Sequence, residues 1–171
     1  MYRQLTVCAV IPALNEERAI GLVVSDLRRL RNERGDALID HVVVCDNGST
    51  DQTTAKARDA GATVVWEARP GYGRACQRAI AALPVCDVVL FVDGDRSCLV
   101  DQSLRLLQGI ADGADLSIGS RALGHCAPGA LTPPQRFGNW LASKLIRVLW
   151  GDRVTDLGPF RAIRCTALHR L

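Results

Sequence analysis

The stretch that decides the fold runs from Val88 to Ser97 and reads V-V-L-F-V-D-G-D-R-S. Its first five residues, Val88 to Val92, are apolar without a break. Such a run suits a strand buried on both faces between layers of helices. Asp93, Gly94 and Asp95 follow at once. Two carboxylates left unpaired at the rim of a dry core would cost several kcal/mol, so the pattern calls for a cation. In extended chain, residues two apart share a side. Asp93 and Asp95 can then grip one ion, with Gly94 allowing close approach. Hard oxygen ligands suit Mg²⁺ or Mn²⁺, which keep some waters and take phosphate oxygens as further ligands. The plainer alternative is a strand-end turn in which an aspartate caps the next helix.

Upstream, strands are expected at Thr6 to Ile11, ended by Pro12, at Val42 to Cys45, and at Thr63 to Trp66. Between them, Asn15 can cap a helix whose Ile20, Val23, Val24, Leu27 and Leu30 keep helical spacing, and Ser49 or Thr50 can cap another that ends before Gly61. A third helix is expected from about Gly73 to Leu83, stopped by Pro84. Downstream, Leu104, Leu107 and Ile110 mark a helix and Asp115 to Ile118 a strand. Residues 122–134 are loop-like, a long helix should run to about Trp150, and Phe160 to Ile163 can form a last strand. This alternation predicts an α/β fold, a mainly parallel sheet with helices on both faces, which binds ligands beyond the carboxyl ends of its strands. Polar groups fall there repeatedly: Asn15 and Glu16, Asp46, Arg69, Asp93 and Asp95, then Arg121. Together they read as a nucleotide pocket with a metal.

A chain of 171 residues is the size of one domain with a proper core. A net charge of +3 is too small to argue for nucleic acid. No run of 18 apolar residues offers a membrane span, and the N-terminal stretch lacks a signal-peptide pattern. Seven cysteines with no C-x-x-C argue against a disulfide framework or zinc cage, and Cys8, Cys45 and Cys86 read as small core residues. The cytoplasm is the expected compartment. Lys144, Arg147 and Arg153 near Trp140 and Trp150 fit either a core-packing helix or peripheral contact with the inner face of a membrane.

The motifs I-P-A-L-N-E (11–16), V-V-V-C-D-N-G-S-T-D (42–51), G-Y-G-R-A (71–75), V-D-G-D (92–95), G-S-R (119–121) and T-D-L-G-P-F-R-A-I-R (155–164) occur in this order. The ordered set resembles family 2 glycosyltransferases of the GT-A fold, a Rossmann-like sheet that binds nucleotide-diphosphate sugars. It is most similar to the polyprenyl-phosphate branch that includes dolichyl-phosphate mannose synthase. The resemblance covers the whole chain as a single domain, 1–171, and implies that the family's C-terminal part is missing beyond Leu171. It implies an inverting transfer of a hexose from a nucleotide-diphosphate sugar to an acceptor such as a polyprenyl phosphate. Pro12, Leu14, Glu16, Asp46, Gly71 and Gly73 would then surround the nucleotide sugar. Asp93 and Asp95 would hold Mg²⁺ or Mn²⁺ against its phosphates, Arg121 and Arg136 would hold phosphate groups of donor or acceptor, and Asp156 would face the reacting sugar. The chemistry fits: a metal neutralises the departing diphosphate, Arg recognises phosphate in bidentate fashion, and an acceptor that is already anionic needs no strong base.

Arg96 and Cys98 depart from the family pattern, and Ser97 stands where mannose synthases carry a glutamine near the metal. Other classes fit less well. A dinucleotide oxidoreductase would need G-x-G-x-x-G after the first strand, where this chain has P-A-L-N-E. An aspartyl phosphatase carries its Asp-x-Asp on the first strand, not the fourth. A sugar-nucleotide pyrophosphorylase, or an inactive nucleotide-binding module left by truncation, are the remaining alternatives.

Overall fold

The computed structural model describes residues 2–120 and 158–170, with residues 138, 144 and 146–148. The chain falls into two compact units: Met1–Ser117 with Phe160–Leu171, and Ile118–Pro159. The first holds β1 (Val7–Ala13), α1 (Ile20–Arg29), β2 (His41–Asp46), α2 (Thr53–Asp59), β3 (Thr63–Trp66), α3 (Tyr72–Ile80), β4 (Val88–Phe91) and α4 (Ser103–Ala111). It also holds β5 (Leu116–Ile118) except for its last residue, then β6 (Arg161–Arg164) and α5 (Cys165–Leu168). No described helix is long and apolar enough to cross a membrane. The expected loop at 122–134 and most of the expected helix up to Trp150 lie outside the described residues.

The described strands form one six-stranded sheet in the order β3-β2-β1-β4-β6-β5. β1 lies parallel to both β2 and β4, and β2 parallel to β3. β6 runs antiparallel to β4, with Phe91 opposite Arg161 and Val88 opposite Arg164. Alternation along the buried strands divides the core in two. Val7, Ala9 and Ile11 of β1 and Val88 and Leu90 of β4 pack with α1, α2 and α4. Val10, Val43, Cys45, Val89, Phe91 and Ile163 face α3. Helices on both faces are what the unbroken apolar strands required.

Several boundaries differ from expectation: α3 stops at Ile80, short of Leu83, and three others have a visible cause. Pro12 does not end β1, which continues to Ala13. The ladder to β4 stops at Val10 opposite Phe91, while that to β2 continues to Ala13 opposite Asp46. Val10 bonds toward β4 through its carbonyl, so Pro12, two residues on, turns its missing N–H to a side with no ladder left to break. Asn15 does not cap α1, which begins at Ile20 after Ala19. Ser49 and Thr50 do not cap α2; Asp51 Oδ1 instead accepts from the Thr53 amide at 2.9 Å. The polar side chains expected at the caps are spent on tying the two loops together. Cys8 and Cys45 are core residues as expected, whereas Cys86 is only half-buried, its sulfur 3.2 Å from that of Cys165.

Candidate active site

The carboxyl ends of β1, β2 and β4 lie side by side, and the loops that leave them are joined by polar contacts. After β1, Asn15 takes φ 57°, a left-handed conformation that asparagine tolerates. Its Oδ1 accepts from the Thr50 amide at 2.8 Å, and its own amide donates to Ser49 Oγ at 2.9 Å. The Glu16 amide donates to Thr53 Oγ1 at 2.8 Å, and Glu17 Oε2 accepts from the Gln52 amide at 3.0 Å. The first and second loops therefore form one rim.

Asp46, the last residue of β2, is buried at 5% exposure. Its Oδ1 accepts from the amides of Gly48 (3.1 Å) and Ser49 (2.7 Å), and its Oδ2 accepts from the Thr54 hydroxyl. Burial alone would push this carboxyl up; the bonds from Thr54, Ser49 and Gly48 outweigh it and hold Asp46 below the ordinary range. Asp46 is thus an ionised residue that shapes its own turn. The sequence reading passed over its neighbour Asn47. Its amide nitrogen donates to the carbonyls of Glu67 (3.0 Å) and Arg69 (2.9 Å), and its oxygen accepts from the Gly71 amide at 2.8 Å. One buried side chain thereby fixes the whole segment between β3 and α3. A polar residue beside the strand-end aspartate was the available signal.

That segment delivers Gly71 at φ 143°, a conformation open to glycine, and then Gly73, around which a Cβ would meet nothing within 4 Å. Arg69 is exposed and pairs with Glu67 at 3.5 Å. The first α3 residue, Tyr72, donates its hydroxyl to Asp93 Oδ1 at 3.3 Å. This links the third loop to the fourth.

β4 ends at Phe91, Asp93 lies beyond it outside the strand, and Gly94 and Asp95 form a turn rather than extended chain. The two aspartates are consequently not held on one side by strand alternation. Gly94 is buried between them, and a Cβ there would sit 3.5 Å from Ala13, Glu16 and Ile20 side-chain atoms. Asp95 is exposed, its Oδ1 accepting from the Ser97 amide at 2.8 Å. Arg96, at φ 64°, turns to Asp26 of α1 at 3.3 Å and so leaves the rim. Glu16 stands against this turn. Burial raises its carboxyl, and the charges of Asp95, Asp51 and Asp93 raise it further. No group of three His, Cys, Asp or Glu residues among those described is arranged to enclose a metal. The donor set is made of carboxylates, with Glu16 close to the turn that carries Asp93 and Asp95. It fits a hard divalent ion that draws its other ligands from phosphate and water.

Of the residues anticipated, Glu16, Asp46, Gly71, Gly73, Asp93 and Asp95 stand on this rim, with Pro12 buried in β1 just below and Leu14 exposed at 52% just above. Arg121, Arg136 and Asp156 lie outside the described residues. A groove lined by Tyr2, Arg3, Asn32, Asp40 and Arg105 among others opens by the residues that precede β1 and β2, at the other end of the sheet.

Comparison with known proteins points the same way. The model of the family described as "Glycosyl transferase family 2" matches residues 8–171. Glycosyltransferase AglJ of Haloferax volcanii is 34% identical over 157 residues, 91% of this chain and 49% of that protein. The dolichyl-phosphate hexose transferase of the same organism is 36% identical over 163 residues, 94% of this chain and 67% of that protein. The crystal structure of glucosyl-3-phosphoglycerate synthase from Mycobacterium tuberculosis with Mn²⁺, uridine-diphosphate-glucose and phosphoglyceric acid matches with a TM-score of 0.70 at 29% identity, over 95% of this chain and 57% of that one. The chain spans about half to two thirds of the length of these relatives.

Proposed function

The chain belongs to glycosyl transferase family 2, and from that premise we propose that it transfers a hexose from a nucleotide-diphosphate sugar to a phosphate-bearing acceptor, a polyprenyl phosphate. Its fold is the GT-A arrangement that the ordered motifs imply. The observation that carries the reading is the rim itself: Glu16, Asp46, Asp93 and Asp95 gathered at the carboxyl ends of three adjacent parallel strands. Asp46 is assigned to the base or ribose, its carboxylate anchored by the Gly48 and Ser49 amides and the Thr54 hydroxyl. Pro12 and Leu14 flank the base, and Gly71 and Gly73 leave space for the nucleotide. Asp93 and Asp95 are the residues to hold Mg²⁺ or Mn²⁺, which when bound would neutralise charge on the departing diphosphate. Arg121 and Arg136 are assigned to phosphate groups, and Asp156 to orienting the reacting sugar. A phosphate acceptor is an anion already, so no general base is required, and attack from the face opposite the diphosphate inverts the anomeric centre.

The polyprenyl acceptor is supported by the name of the Haloferax volcanii dolichyl-phosphate hexose transferase. The structural likeness to the mycobacterial synthase favours a second acceptor, a small phosphorylated acid such as phosphoglycerate. The test is transfer of radiolabelled sugar from a panel of nucleotide sugars, with Mn²⁺, to a short-chain polyprenyl phosphate, to 3-phosphoglycerate, to simple glycosides and to water. Label on the lipid phosphate is expected. Label on 3-phosphoglycerate instead moves the assignment to the second acceptor, and label on neither phosphate overturns both.

A further inference from the structure

Arg161 has no role in the reading so far, and its surroundings give it one. It opens β6 and lies opposite Phe91, two residues before Asp93. Because β6 runs antiparallel to β4, the beginning of β6 stands at the carboxyl end of β4, on the rim. Side chains two apart share a face. Ile163, two residues after Arg161, packs with Phe91 and Cys76 in the α3 half of the core. Arg161 therefore projects to the α3 face, and its guanidinium carbon lies 5.7 Å from the centre of the Phe91 ring. Its charge is close enough to bear on both Tyr72 and Cys76 of α3.

Cation–π contact satisfies the flat face of a guanidinium but none of its in-plane donors. Arg161 Nε is buried and has no hydrogen-bond partner among the described residues. A buried donor without an acceptor costs about 1–3 kcal/mol in ordinary proteins, so an acceptor is called for. Tyr72, which shares this corner, already directs its hydroxyl to Asp93. The chemical match for an in-plane fork of N–H donors beside carboxylates that hold a metal is a phosphate oxygen.

We propose that Arg161 is a phosphate-binding residue of this site, stacked on Phe91 and aiming its free N–H edge at a phosphate group beside Asp93. The proposal rests on the nucleotide-sugar reading above. The phosphate belongs either to the nucleotide diphosphate or to the acceptor, and the two are separable. Calorimetry with Mn²⁺ would compare uridine, uridine diphosphate, guanosine diphosphate and inorganic pyrophosphate on the parent chain, Arg161→Gln and Arg161→Lys. The acceptor KM would be measured on the same proteins. Expected for Arg161→Gln is about tenfold weaker diphosphate and pyrophosphate binding with nucleoside binding unchanged, or, if the acceptor is the source, a KM for the phosphate acceptor raised by a similar factor. Arg161→Lys should recover part of the loss, since it restores charge without the fork. A merely structural arginine would lower the melting temperature and weaken nucleoside and diphosphate alike. That result, or unchanged values in both arms, overturns the proposal. If the parent itself binds no diphosphate and uses no phosphate acceptor, the functional reading falls first and this one with it.

Discussion

Asp46 carries two duties at once, because the bonds that ionise it are the bonds that build its turn. Asp46→Ala should weaken nucleotide binding by about 1–3 kcal/mol in calorimetry and also cost about 2–4 kcal/mol of stability in urea, since charged hydrogen bonds are lost and their donors orphaned. The linkage has a definite sign. The folded carboxyl titrates below its unfolded value, so its contribution is complete above the ordinary aspartate value of about 3.9 and is lost as pH falls through the lower folded value. A urea midpoint followed from about pH 6 down to about pH 2 should therefore drop more steeply in the parent than in Asp46→Asn. Asp95 is the opposite kind of residue, exposed and bonded only to the amide of Ser97 among its described side-chain partners. Asp95→Ala should leave the melting temperature within about 2 °C of the parent while abolishing the Mn²⁺-dependent part of diphosphate binding. Tyr72→Phe keeps the ring and removes the bond to Asp93. With Asp93 as the proposed metal ligand, loss of the partner that orients it should lower Mn²⁺ affinity by about tenfold, read by electron paramagnetic resonance.

Among the elements, the strands were legible in the sequence and the loops were not. Val42 to Cys45 and Val88 to Val92 stand almost where their apolar runs put them, because a strand buried on both faces admits no other composition. Thr63 to Trp66, a half-exposed edge strand, was legible from its β-branched and aromatic residues instead. The third helix begins at Tyr72, beside the expected Gly73, whereas the starts of α1 and α2 failed for one shared reason. Asn15, Ser49 and Thr50 look like caps when read locally, but their donors and acceptors meet across two loops that are adjacent only once β1 and β2 pair. Asn47 escaped notice for the same reason, since its partners lie some twenty residues away. The Asp-Gly-Asp turn was found but not its geometry, because the strand ends two residues before the first aspartate. Asn47→Ala should release the 67–71 segment without unfolding the sheet. Hydrogen exchange at the Gly71 amide, which Asn47 Oδ1 now holds at 2.8 Å, should accelerate by about tenfold or more, while amides of β1 and β4 keep their protection.

On the scale of the whole molecule, the antiparallel strand had the weakest signature. Phe160 to Ile163 was legible as a strand, and the sheet as mainly parallel, but nothing in four residues reveals that they run against β4 or that they enter between β4 and β5. That insertion has a consequence for the order in which the protein is made. A ribosome releases β4 and β5 well before β6, the strand that must lie between them. Until residues 161–164 emerge, one edge of β4 presents unpaired N–H and C=O groups on a wholly apolar strand, the kind of edge to which other chains add. A nascent chain held just short of Phe160 should accordingly stay associated with chaperones or self-associate on release, as light scattering would show, whereas one extended through Leu171 should not. The gap between β4 and β5 stays open until this later-made strand arrives.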